Sequence, residues 1–268
     1  MKEAADKPQR GIQSVEVAGR ILEALAQRRE PAALSELAGA AALSTAQAHT
    51  YLVSLTRLGL VKRDALSGDY EPGPLSLRLG LTHVGQQPTY RVAVPHAAQL
   101  AERIGFSVAV CVPGAQGPMI VRYERGGYPL HVNLHVGTVM SLVNTSTGRV
   151  FCAFLDAARL AAMRENQGLA QARYGAAGTP DADDAAWQAS LDDARRRGMT
   201  RNVDLPSPGI SSLCAPVLDA HGRLQLALTV IGPSGTMNVS WDGPNARELR
   251  EVARRIAEAL SQPEPHHD

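Results

Sequence analysis

Along the first sixty residues, apolar positions recur at helical spacing and are punctuated by breakers. Val15, Val17, Ala18, Ile21, Leu22, Leu25 and Ala26 share one side of a predicted helix over Ser14–Gln27, with Ser14 as its cap. Pro31 ends that pattern. A short helix over Ser35–Ala41 turns Leu37 and Ala38 inward, and Leu43-Ser44-Thr45 restarts the chain with Ser44 or Thr45 as cap. A third helix over Ala46–Leu58 carries Ala48, Tyr51, Leu52 and Leu55 on one face, and Gly59 stops it. Leu60–Glu71 then reads as a β-hairpin turning at Ser67-Gly68. Leu75–Val84 is helical again, and Gln86-Gln87-Pro88 breaks the chain.

Beyond that break the texture changes. Ser107–Val112 and Met119–Arg122 read as paired strands around Gly114–Pro118, and Pro129–His135 and Thr138–Val143 as further strands broken at Gly137. Helices are predicted over Gly148–Phe154, Ala157–Glu165 and Ala185–Arg197, with a polar loop over Gly175–Asp184. Ser212–Leu218 and Leu224–Ile231 form a hairpin, Asn245–Leu260 a closing helix, and Gln262–Asp268 a disordered tail. The pattern predicts an α+β protein: an N-terminal unit over residues 11–73, a helical connector over 74–87, and an antiparallel domain over 88–262 with helices on one face, followed by a tail over 263–268.

Length and composition agree with two domains. The 268 residues carry a formal net charge of +1, so overall charge does not announce a polyanion as partner. No apolar run is long enough to span a bilayer, and the charged N-terminus lacks a leader pattern, so a cytoplasmic location is expected. Cys111, Cys152 and Cys214 are widely spaced, form no Cys-x-x-Cys, and sit among apolar neighbours as small hydrophobes.

Three short helices followed by a hairpin match a winged helix-turn-helix, whose second motif helix enters the major groove of duplex DNA. The outer face of the third helix offers Ser44, Thr45, Gln47, His49, Thr50 and Ser54. Glutamine suits an adenine edge and threonine a hydroxyl or methyl contact. Arg57, Lys62 and Arg63 follow with no acidic residue between Ala46 and Arg63, a basic run suited to phosphates. A solvated face explains any one of these residues equally well. In the second half, Asn144–Gly148 lies between a predicted strand and a helix, where amides at a helix start suit a carboxylate or simply form a cap. Arg149 is open to a carboxylate-pairing role or, equally, to a packing or interdomain salt-bridge role. His131, Asn133 and His135 share a strand face, but no third strong ligand accompanies the two imidazoles, and a solvated face accounts for them.

The stretch Ala41–Leu55, Gly59–Asp64 leading to Gly68-Asp69-Tyr70, Ser146–Val150, Gly209-Ile210 through Ala215–Asp219, and Gly232-Pro233 together resemble the IclR family of regulators, from about Gly11 to Leu260. Many members carry arginine where this chain has Thr50. The resemblance implies a GAF-like C-terminal domain that binds a small effector. Its pocket maps onto Val132, Met140, Ser146, Thr147, Ser212, Thr229 and Ile231, with Asn202 or Asp204 at an acidic position. Where members that bind very small oxo-acids have serine, Ile231 is apolar, which implies a larger or aromatic organic acid. A regulator of this kind is expected to be a repressor, to bind a palindromic operator as a dimer or dimer of dimers, and to need no cofactor or metal. The rival is an enzyme with a GAF-like catalytic domain and an accessory DNA-binding head. Neither His-Glu-x-x-His, Gly-x-Ser-x-Gly nor a phosphate loop supports it.

Overall fold

The computed structural model describes residues 11–28, 30–130, 132, 134–174 and 185–261. The chain divides into two compact units at Gln86/Gln87. The sequence readings at His131, Asn133, 175–184 and 262–268 lie outside the described residues.

The first unit holds α1 (Gln13–Ala26), α2 (Leu34–Ala40), α3 (Thr45–Arg57), the hairpin β1 (Val61–Arg63) and β2 (Tyr70–Pro72), and α4 (Pro74–Gly85). The α1 N-cap is Ile12, which has no side-chain acceptor, rather than the expected Ser14. The helical stripes converge: Ile21, Ala24 and Leu25 of α1, Leu37 and Ala38 of α2, and Ala48, Leu52 and Leu55 of α3 form one core with Val61 and Tyr70. The α3 end explains how a recognition-sized helix runs directly into a wing. Gly59 adopts φ +77°, and the Leu60 amide donates back to the Leu55 carbonyl at 3.0 Å. That six-to-one bond closes the helix and turns the chain into β1. By contrast, α4 buries no side chain; Leu77, Leu79 and Leu81 stay exposed.

The second unit holds α5 (Pro88–Ile104), β3 (Ser107–Pro113), β4 (Pro118–Glu124), α6 (Ser146–Phe154), α7 (Ala157–Tyr174), α8 (Ala185–Arg197), β5 (Thr200–Asn202), β6 (Ile210–Leu218), β7 (Leu224–Pro233) and α9 (Pro244–Ser261). Its antiparallel sheet has the order β4-β3-β7-β6-β5. Helices cover both faces rather than the single face expected: α5 and α9 pack on one, α6 with α8 behind it on the other. The error traces to α5, which the sequence reading left unassigned. It starts at Pro88, which suits a first helical position, but contains Pro95, which argues against a helix interior, yet it buries Ala93, Ala97 and Leu100 on the sheet.

The strands expected over Pro129–His135 and Thr138–Val143 are not formed by the described residues there. Val139 makes only an isolated bridge to Met119. Gly137, at φ +91°, turns the segment at the β4 edge, where the Ile120 and Met140 amides donate to Thr138 and Pro118 carbonyls at 2.9 and 2.7 Å. The segment therefore satisfies the edge of β4 without continuing the sheet. Helix α7 runs past the expected Glu165, and β5 was unforeseen because three residues carry no readable period.

Candidate functional sites: a winged DNA-reading unit and a polar chamber beneath α6

Helix α3 presents all the residues expected on its outer face. Ser44, Thr45, Gln47, His49, Thr50 and Arg57 are exposed, as are Lys62 and Arg63 in the wing. Several are already committed within the protein. Ser44 accepts from the Gln47 amide at 3.3 Å while Gln47 Oε1 accepts from the Ser44 amide and hydroxyl, each at 3.1 Å. This reciprocal capping box satisfies amide donors at the helix start. The oxygen of Gln47 thus orients its side chain and leaves the amide nitrogen to face outward chemistry. The Thr50 hydroxyl donates to the Ala46 carbonyl at 3.1 Å, which leaves its methyl as the feature offered to a base.

The wing is less purely basic than the linear sequence suggested. Strand register sets Lys62 opposite Glu71, and the two charges meet at 2.9 Å. Arg63 Nε donates to the Gly68 carbonyl at 2.8 Å, and its guanidinium lies 5.6 Å from the Tyr70 ring centre. Asp64 accepts from the Leu66 and Ser67 amides, and those bonds hold its carboxyl below the usual range. Arg63 and Asp64 together therefore shape the wing turn. Arg57, by contrast, stands at the C-terminal end of α3 with no ion pair among the described residues.

In the second unit the two faces of the sheet differ in chemistry. The face toward α5 and α9 carries Val108, Val110, Leu213, Ala215, Val217, Leu226, Leu228 and Val230, all apolar and buried. Toward α6 the same strands place Ser107, Cys111, Thr200, Asn202, Ser212, Cys214 and Thr229, also buried, among Ala109, Ala227 and Ile231. Strand alternation explains the segregation: Ser212 pairs with Ile231 and Cys214 with Thr229 across β6 and β7. Buried polar groups are costly unless bonded, and here they bond one another. Ser146 and Ser212 hydroxyls meet at 2.7 Å, as do those of Thr147 and Thr229. Thr229 also lies 3.2 Å from Cys214 Sγ, and the Thr200 hydroxyl donates to the Ser146 carbonyl at 2.7 Å.

The start of α6 is seated tightly in this chamber. Thr145 caps it by accepting from the Gly148 amide at 2.9 Å. A Cβ at Gly148 would overlap the backbone carbonyls of Ser141 and Leu142, so only glycine lets the helix approach the preceding loop this closely. Gln167 of α7 braces that loop from the other side. Its oxygen accepts from the Leu142 amide at 2.9 Å, and its nitrogen donates to Met140 and Gln116 carbonyls at 3.0 and 2.9 Å. Sequence reading missed Gln167, although it continues the inward stripe of Leu160 and Met163 by one helical turn. Thr200 was missed with β5.

The residues mapped by resemblance fall unevenly. Ser146, Thr147, Ser212 and Thr229 come together as the two hydroxyl pairs. Met140 and Ile231 belong to the apolar cluster around them. Val132 is half-buried and is not one of that cluster's described members. Asn202 is buried on β5; it donates to the Asn144 carbonyl at 2.9 Å and accepts from Arg149. Asp204 is exposed and turns the other way, accepting from the Gly209 amide at 2.9 Å and the Ser234 hydroxyl at 2.6 Å. Of the two alternatives, Asn202 is the one beside α6. Arg149 donates to the Arg201 carbonyl and to Asn202, and among the described residues it has no carboxylate partner.

The three cysteines are free and buried. Burial pushes Cys152 up to about 11, Cys214 up to about 12 and Cys111 well above its ordinary value. They are protonated in the native protein and poor nucleophiles. No group of three or more metal-ligating side chains occurs among the described residues, and His135 is engaged with the Thr138 hydroxyl. No helix among the described residues is long and apolar enough to cross a membrane.

A winged helix-turn-helix unit followed by an α+β sheet unit defines a DNA-binding transcription regulator of two domains. Comparison with known proteins gives the particular family. Residues 14–65 match the IclR helix-turn-helix domain, and residues 82–261 match the bacterial transcriptional regulator IclR C-terminal domain. The chain belongs to the IclR family. It is 30% identical over 253 residues to the glycerol operon regulatory protein of Streptomyces griseus, covering 94% of this chain and 96% of that protein. It is 22% identical to the transcriptional repressor IclR of Escherichia coli, covering 83% and 80%. Its fold matches the crystal structure of an IclR homologue from Microbacterium hydrocarbonoxydans complexed with 4-hydroxybenzoate, with a TM-score of 0.71, 19% identity and coverage of 92% and 98%.

Proposed function

We propose that this regulator is a repressor that reads its operator through the exposed start of α3 and is switched by a small organic acid bound beneath α6. The observation that carries the switch is the contrast between the two sheet faces: one is lined by apolar side chains apart from Ser211 near the start of β6, the other holds paired hydroxyls inside a protein interior. Stability alone favours apolar residues at such positions, whereas a ligand needs donors there. Ser146, Thr147, Ser212 and Thr229 supply the hydroxyls, the first amides of α6 a place for the carboxylate, and Met140, Val132 and Ile231 the apolar walls, with Asn202 at the rim. Ile231 favours an aromatic or branched acid over glyoxylate. A homologue that binds 4-hydroxybenzoate supports that class, and the Escherichia coli relative's name supports repression.

On the DNA side, Gln47, His49, Thr50 and Thr45 face base edges, and Arg57, Lys62, Arg63 and Ser44 face phosphates. The exposed Ile12 and Val15 on α1 and Leu77, Leu79 and Leu81 on α4 are unpartnered apolar surface in the first unit, and we infer that a second copy covers them. Two-fold pairing would match a palindromic site.

Isothermal titration with a panel of aliphatic oxo-acids and hydroxybenzoates tests the switch on wild type and on Thr147→Val/Thr229→Val. At least one acid binds wild type, weakens operator binding by about 5–150-fold, and loses affinity for the variant. Failure of every acid to bind, or unchanged binding to the variant, overturns the reading.

A further inference from the structure

Beside α8 and β5, the second unit contains a cavity of about 170 Å³ whose lining includes none of the four paired hydroxyl residues. Arg149, Arg201, Ser190, Asp193, Met199 and Trp241 line it. Its charge is unbalanced. Asp193 already meets Arg196 at 3.1 Å and Arg197 at 2.7 Å, so its carboxylate is neutralised within α8. Arg149 and Arg201 have no carboxylate partner among the described residues. Arg149 reaches a carbonyl and an amide oxygen, and Arg201 donates to the Val239 carbonyl at 3.3 Å. The guanidiniums of Arg197 and Arg201 both lie over the Trp241 ring, at 4.6 and 4.5 Å from its centre.

Half-burying a guanidinium without a counter-charge is unfavourable, and burial lowers the Arg149 pKa accordingly. Arg201 packs on Trp241, but among the described residues no ion pair balances the two guanidiniums on one cavity wall. The other available polar groups are already used: the Ser190 hydroxyl donates to the Trp187 carbonyl at 2.7 Å, and that of Thr200 to the Ser146 carbonyl. What remains is a positive cleft with apolar Met199 and Ala194 at its base. We propose that this cleft is a second ligand site, in which Arg149 and Arg201 bind a small oxyanion, either a phosphate or a carboxylate. Guanidinium donors suit both through paired, charge-assisted hydrogen bonds. The site is distinct from the chamber proposed for the organic acid, although Arg149 and Thr200 touch both walls.

Trp241 makes the site directly readable, because the chain's only other tryptophan is Trp187. Among the described residues the buried indole N–H of Trp187 has no hydrogen-bond partner, so Trp187→Phe forfeits no hydrogen bond there. In that background, inorganic phosphate and acetate are titrated separately at constant ionic strength while Trp241 emission is followed. A saturable change with either anion is expected, and the arm that responds at lower concentration identifies the source. Arg201→Gln weakens that binding at least tenfold. Asp193→Asn strengthens it several-fold by leaving Arg196 and Arg197 without their carboxylate and so raising the positive charge at the cleft, which keeps the test open if Arg201→Gln folds poorly. Thr147→Val/Thr229→Val leaves it within about twofold. A change that tracks ionic strength without saturating, or that survives Arg201→Gln and ignores Asp193→Asn, overturns the site. Loss in the double valine variant alone reassigns the anion to the chamber beneath α6 and equally overturns it.

Discussion

The Thr147–Thr229 pair offers a direct test of whether the polar chamber is structural or functional. Both residues are essentially inaccessible, and their hydroxyls lie 2.7 Å apart. Valine keeps the branched shape and removes the oxygen. In either single variant one hydroxyl loses its partner in a site without solvent access. Leaving a buried hydroxyl unsatisfied costs about 1–3 kcal/mol, whereas removing both partners is close to neutral. Thr229 retains some compensation in Thr147→Val, because it also faces Cys214 Sγ at 3.2 Å. Thr147 keeps a similar compensation in Thr229→Val from the Cys111 and Cys214 thiols, so each single variant is expected near the lower end, about 1 kcal/mol. The double variant should be destabilised by less than the sum, with a coupling of at least about 1 kcal/mol. Both tryptophans lie in the second unit, so urea unfolding followed by their emission reports on that unit rather than on the winged one. Additive single effects would refute the pairing. A stable double variant that still binds an organic acid with wild-type affinity would refute the role of the hydroxyls as ligand donors.

Four further outcomes follow from the geometry. Gly148→Ala forces the α6 start off the Ser141 and Leu142 carbonyls, so it should lower the urea midpoint of the second unit by an amount equivalent to about 2 kcal/mol or more, while operator binding at low temperature persists. Gln47→Glu keeps an acceptor for the capping box but removes the amide donor and adds a negative charge at the groove; thermal stability should change by less than about 1 kcal/mol while affinity for a selected operator, read by anisotropy, falls at least tenfold. The thiols should resist a chromogenic disulfide reagent at pH 8 and react only on unfolding. Because Cys152 and Cys214 are raised to about 11 and 12, their contribution to stability is complete below about pH 9 and is lost as pH rises through 9–12, seen as a falling urea midpoint. Replacing Leu77 and Leu81 together by glutamate should shift the light-scattering mass toward monomer and weaken operator binding without lowering the urea midpoint of the second unit.

The first unit was almost fully legible because its information is local. A 3.6-residue stripe, a cap at Ser44, one of the two expected there, and a glycine helix stop each act within a few residues, and the structure has them at those positions. The second unit was legible only where one element buries one face. The β6–β7 hairpin was read well, but α5 was lost because proline signals outweighed alanines whose burial comes from a distant sheet. The candidate site suffered in the same way. Composition shows serines and threonines but not that Ser146 meets Ser212 across sixty-six positions, nor that Asn202 faces α6 while Asp204 folds into its own loop. Charge was the least legible property. The basic run at Lys62–Arg63 is partly cancelled by Glu71, a residue paired only by strand register, whereas Arg149 and Arg201 have acids nearby in sequence yet no ion pair among the described residues. A guanidinium's availability is fixed by which carboxylate the fold brings within reach. The wing therefore offers DNA less free positive charge than its sequence suggests, and the interior of the second unit offers an anion more.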